Sequence, residues 1–66
     1  MKIVINGEQR EFEPPLSVSG LAERLALDPR KVAVERNLSI VPKSAFSETQ
    51  LADGDRIEIV HFVGGG

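Results

Sequence analysis

No cysteine, tryptophan or tyrosine occurs in this sequence, and histidine occurs once. Without cysteine the chain has no disulfide, no thiolate metal site and no sulfur nucleophile of its own. An excess of positive charge is also missing: 8 Lys and Arg stand against 10 Asp and Glu, a formal net charge of −2. Nucleic-acid binders carry a basic stripe, and Lys2, Lys31 and Lys43 are too dispersed to form one. No apolar run nears the roughly 20 residues that span a bilayer, and the opening MKIVINGEQR is too short for a secretory core. The expectation is a cytoplasmic protein with neither nucleic acid nor membrane as partner.

Length removes a further class. A chain of 66 residues makes one small domain, which hides only about 60% of the surface its unfolded form exposes. An enzyme needs a pocket and converging acid, base or nucleophile groups. One imidazole and scattered carboxylates do not supply them, so no catalytic residues of the chain's own are expected.

What is present is clear patterning. Lys2 to Asn6 is β-branched and reads as a strand, and the Asn6-Gly7 pair predicts a type I′ hairpin turn. Glu8 to Glu13 returns with a wet face and Phe12 inward, up to Pro14-Pro15. Val18, Leu21, Ala22 and Leu25 form one helical stripe, with Ser17 as N-cap and Asp28-Pro29 as the closing pair. Gly20 fits poorly in the first turn, where glycine costs about 1 kcal/mol relative to alanine. Val32 to Glu35 reads as a third strand and Ile40-Val41 as a short fourth. Phe46 and Leu51 plug the edge of the core, Asp53-Gly54-Asp55 turns, and Arg56 to Val63 is the last strand. A hairpin, a crossing helix and further strands make an α+β roll, one helix across a mixed sheet of four to five strands. Residues 1–63 form the domain and 64–66 a flexible tail.

Two features lie outside that framework. In the last strand Ile57 and Ile59 share one face, while Val60 and Phe62 fall on the other, which ought to be solvated. Val4 has the same outward parity, so if the first and last strands are neighbours the three make an exposed apolar patch of the kind partners use. Coverage by a loop, or ordinary scattered surface apolars, is the plainer alternative. The second feature is the ending Gly64-Gly65-Gly66. Glycine loses the most entropy on ordering and brings no side chain to pack, so this tail adds no stability. Three extended residues reach about 10 Å, a thread narrow enough for a channel in another protein and ending in an unhindered carboxylate.

KIVINGE at the start, VAVERN at 32–37, LADGDRIEIV at 51–60 and FVGGG at 62–66 together resemble the ubiquitin-like β-grasp sulfur carriers, and within them those of thiamine biosynthesis. The resemblance covers the whole chain. It implies a β-grasp roll and a protein co-substrate with no bound cofactor, monomeric when free. An adenylating enzyme related to those that activate ubiquitin would use ATP to adenylate Gly66. Sulfur from a persulfide donor such as a cysteine desulfurase would then give a thiocarboxylate for thiazole synthase. Gly65 and Gly64 would form the thread, with Val63, Phe62 and Val60 as anchors against the partner. Two departures stand out. Asn37-Leu38-Ser39 replaces a common Asn-Gly, which predicts a looser or longer hairpin, and three glycines stand where two suffice.

Related readings of the same ending are a carrier for molybdopterin synthesis or tRNA thiolation, a protein modifier joined through Gly66 to lysines, and a binding module with an inert tail. His61 has the parity of Ile57 and Ile59 and reads as a packed or edge histidine. Asp53 and Asp55 read as turn residues, since a cation site needs more oxygen ligands. Glu58 and Arg56 are exposed charges near the tail.

Overall fold

A computed structural model describes residues 1–62. Val63, Gly64, Gly65 and Gly66 lie outside the described residues, so the expected domain limit at 63 and the tail are read from sequence alone. The elements are β1 (Lys2–Ile5), β2 (Glu8–Glu11), α1 (Val18–Arg24), β3 (Val32–Arg36), β4 (Ser39–Val41) and β5 (Arg56–His61). Short 3₁₀ turns, Pro29–Lys31 and Lys43–Ala45, precede β3 and follow β4. The five strands form one sheet in the order β2-β1-β5-β3-β4. β5 runs parallel to β1 and antiparallel to β3.

Alternation along each strand decides what the sheet buries. Ile3 and Ile5 of β1, Ile57 of β5, Val32 and Val34 of β3 and Val41 of β4 face the helix and are buried. Leu16, Val18 and Leu21 meet them from the other side, and Phe46 and Leu51 close the core as the sequence predicts. Burying such a side chain is worth about 1.5–3 kcal/mol, so this layer carries most of the stability.

The helix starts as expected and stops earlier. Ser17 Oγ accepts from the Gly20 N–H at 3.0 Å, satisfying one of the free donors of the first turn. A β-carbon on Gly20 would come within 3.1 Å of Leu16 Cδ1, so the missing side chain makes room for a buried leucine. The helix ends before Asp28-Pro29 because Ala26 turns left-handed, with φ 57°. Its N–H donates to Glu23 O and that of Leu27 to Ala22 O, at 3.0 and 2.9 Å. This paired closure satisfies the last carbonyls. Asp28 instead caps the following 3₁₀ turn, accepting from the Arg30 N–H.

The hairpin between β3 and β4 also departs from expectation, being neither looser nor longer. Arg36 pairs with Ser39, leaving a two-residue turn in which Asn37 and Leu38 both take positive φ, 51° and 74°. Leucine thus holds a position usually given to glycine.

Candidate functional site

β5 carries the chain toward its glycine end, and its central place in the sheet lets side chains from both flanks hold it. Immediately before its start, Asp55 is 6% exposed. Its carboxylate accepts from the Ala52 N–H at 2.8 Å, Arg36 Nε at 2.9 Å and Asn37 Nδ2 at 3.0 Å. Burial opposes the charged form, but these donors outweigh it and keep the Asp55 pKa below the ordinary carboxylate value. Asp53 accepts from the Lys2 N–H at 2.6 Å. Both aspartates therefore serve the turn, and no group of three or more His, Cys, Asp or Glu among the described residues is placed to hold a metal ion.

Along β5, two asparagines act like pieces of backbone. Asn37 Oδ1 accepts from the Arg56 N–H at 2.9 Å. Asn6 accepts from the Ile59 N–H at 2.8 Å and donates to the Ile59 carbonyl at 3.1 Å. Each asparagine stands first in its hairpin turn, where left-handed φ is tolerated and the short amide can reach across to the strand.

The outer face of β5 holds the predicted apolar residues only in part. Val60 is 61% exposed and stands opposite Ala33 of β3. Next along the ladder Glu58 faces Glu35, two carboxylates side by side, with Ile40 across Glu35 on β4. Ile40 is 65% exposed and extends the apolar surface to the sheet edge, a residue that reading β4 as a short strand did not single out. Val4 does not join them. β1 and β5 are neighbours as supposed, but the parallel register sets Val4 beside Arg56, four strand residues or about 13 Å from Val60.

Phe62 lies just past the end of β5, where strict alternation no longer applies. Its N–H donates to the Lys31 carbonyl at 2.8 Å, and the Lys43 ammonium sits 5.1 Å from its ring centroid. Lys43 has no sequence signal linking it to Phe62; only the fold brings them together. His61 is exposed rather than packed. It lines a shallow groove with Arg10, Leu25 and Ile59 beyond the short helix. No helix among the described residues is long and apolar enough to cross a membrane.

Comparison with known proteins agrees with this architecture. The ThiS family model matches residues 3–66. A thiazole synthase of Paramagnetospirillum magneticum is 56% identical over all 66 residues, which cover 20% of that protein. This chain thus spans about a fifth of that relative, and likewise of a thiazole synthase from Magnetococcus marinus at 44% identity. The sulfur carrier protein ThiS of Bacillus subtilis is 46% identical over 63 residues, covering 94% of this chain and 96% of that one. The crystal structure of the thiamine biosynthesis protein ThiS from Geobacter metallireducens superposes with a TM-score of 0.84 at 32% identity, covering 100% of both chains. The five-stranded mixed sheet with one helix is the ubiquitin-like β-grasp, and with the family model running from β1 through Gly66 this chain belongs to the ThiS family.

Proposed function

We propose that this chain is a sulfur carrier of thiamine biosynthesis whose reacting group is the Gly66 carboxyl. The observation that carries this reading is the match to the Bacillus subtilis sulfur carrier, 46% identical and covering 96% of that protein. A carboxylate at neutral pH is a poor electrophile. An activating enzyme transfers AMP from ATP to Gly66 and releases pyrophosphate, which turns the carboxylate oxygen into a leaving group. The outer sulfur of a protein persulfide attacks the acyl carbon and displaces AMP. A second thiol attacks the first thiol's sulfur, releasing the thiocarboxylate and joining the two thiol sulfurs as a disulfide; these 66 residues contain no cysteine, so both thiols belong to partners.

The recipient we infer is thiazole synthase, because two proteins of that name contain a segment matching this chain over its full length. That favours thiazole formation over molybdopterin or tRNA thiolation. Val60 and Phe62 anchor the partner beside the tail together with Val63, while Gly64 and Gly65 form the thread. Val4 contributes at most from a separate part of the same face. The chain is then a co-substrate rather than an enzyme, with ATP bound by its partner.

Intact-mass spectrometry tests this after incubation with ATP, an activating enzyme and a persulfide donor. The expected change is one oxygen replaced by one sulfur, located at Gly66 by C-terminal fragment ions and by thiol alkylation. Fragment ions are essential because oxidation of Met1 gives nearly the same mass. Deleting Gly66 abolishes the change and leaves the melting curve unaltered. An unmodified C-terminus, with an activating enzyme shown to work on another carrier, moves the assignment to a binding module; conjugates to lysine move it to a protein modifier.

A further inference from the structure

Beyond His61, the last residue of β5, which pairs with Val32 of β3, two contacts among the described residues locate Phe62. One is the hydrogen bond from the Phe62 N–H to the Lys31 carbonyl. A single bond fixes a point but not a direction, and the Phe62 side chain is 48% exposed, so the core does not hold its ring. The other contact is the Lys43 ammonium over that ring at 5.1 Å, within the roughly 6 Å at which a cation is drawn to an aromatic face.

Lys43 projects from a fixed base. It opens the 3₁₀ turn Lys43–Ala45, and its carbonyl accepts from the N–H of Phe46, a residue 5% exposed in the core. The Phe46 carbonyl in turn accepts from the Ser19 N–H at 2.9 Å, tying the turn to the start of α1. Phe62 is therefore located from two independent segments, the turn before β3 and the turn after β4.

We infer that Lys43 is a positioning residue: by holding the Phe62 ring it sets the direction in which the tail leaves the sheet, and hence how readily an activating enzyme takes the tail up. This rests on the carrier reading above. Gly66 is only four residues beyond Phe62, and glycine adds little stiffness of its own. A direction imposed at Phe62 thus acts close to the reacting carboxyl, and ordering it in the free protein lowers the entropy cost of docking.

Four variants of the full chain test the inference: Lys43→Gln, Lys43→Arg, Phe62→Leu, and the double variant Lys43→Gln with Phe62→Leu. In ATP–pyrophosphate exchange by the activating enzyme, Lys43→Gln raises KM for the carrier about two- to five-fold with kcat unchanged. Lys43→Arg restores it. The double variant is no worse than Phe62→Leu alone, because the two residues act as one contact. Additive losses place Lys43 directly on the partner and overturn the inference, as does a KM indifferent to Lys43.

A second readout needs no partner. Nitrogen-15 relaxation of the free protein shows lower order at Phe62 and Val63 in Lys43→Gln, with the melting temperature unchanged. Equal order in both proteins overturns the inference. If the unaltered chain supports no exchange with an enzyme active on another carrier, the carrier reading fails, while relaxation still decides whether Lys43 holds Phe62.

Discussion

The two hairpins of this domain close with the same backbone shape and different chemistry. Asn6-Gly7 and Asn37-Leu38 are both two-residue turns with positive φ at each position. Glycine adopts that conformation without strain, whereas leucine meets a steric cost of about 1–2 kcal/mol. The asparagines differ as well. Asn6 reaches only the backbone of Ile59, on β5, while Asn37 holds the Arg56 N–H and also donates to the buried carboxylate of Asp55. The strained turn is thus the one with the stronger network, which shows that tertiary contacts can hold a turn sequence that local preference would reject.

Removing the network gives the largest effect. Asn37→Ala costs about 2–3 kcal/mol in urea unfolding, since it deprives a buried charge of a donor as well as losing a backbone contact. Asn6→Ala costs about 1–2 kcal/mol by the same measure. Equal losses would remove Asp55 from the explanation.

Acid tests the same asymmetry. Because the folded pKa of Asp55 is depressed, its contribution is present above the unfolded pKa of about 3.9. That contribution is lost as pH falls through the folded value. Asp55→Asn is therefore less stable near neutrality, and its stability falls less steeply below pH about 4. Asp28 is the control. Its bonds with Arg30 lower its pKa to about 2, but the Arg30 side chain is 86% exposed and solvent screens the pair, so Asp28→Asn flattens the acid limb less than Asp55→Asn does.

The smallest effects come from exchanging the turn residues. Gly7→Leu destabilises by about 1 kcal/mol, and Leu38→Gly stabilises by about 0.5–1 kcal/mol, the relief of strain being partly offset by glycine's greater freedom when unfolded. Thermal unfolding of the two variants should move in opposite directions. If Leu38→Gly gained nothing, the strain assigned to that turn would be absent.

Much of the fold was legible in the residues. Alternation in KIVI and RIEI, the Asn6-Gly7 pair, the stripe from Val18 to Leu25 and the Ser17 cap all act within a few positions, and each predicted element formed. What escaped depends on distant partners. Asn37 suits a left-handed turn but Leu38 does not, and the force holding that turn is exerted from a distance, by Asp55 and Arg56. Val4 was grouped with Val60 on parity, yet parity gives the face of a strand and not its register, and the register placed Val4 beside Arg56. Ala26 ended the helix before the expected Asp-Pro pair because the closing bonds come from Ala22 and Glu23, whatever residue occupies the left-handed site. Likewise Lys43 looked like one scattered charge until the fold set it over Phe62.

Order of synthesis gives the sheet's topology a further meaning. Among the described residues β5 is the last strand in sequence but occupies the middle of the sheet, with one hairpin on either side. A nascent chain that has released only residues up to Asp55 holds two hairpins with no strand between them, and its sheet closes only when residues 56–61 leave the ribosome. A chain cut before residue 56 therefore lacks the strand that joins the two hairpins and cannot close the sheet.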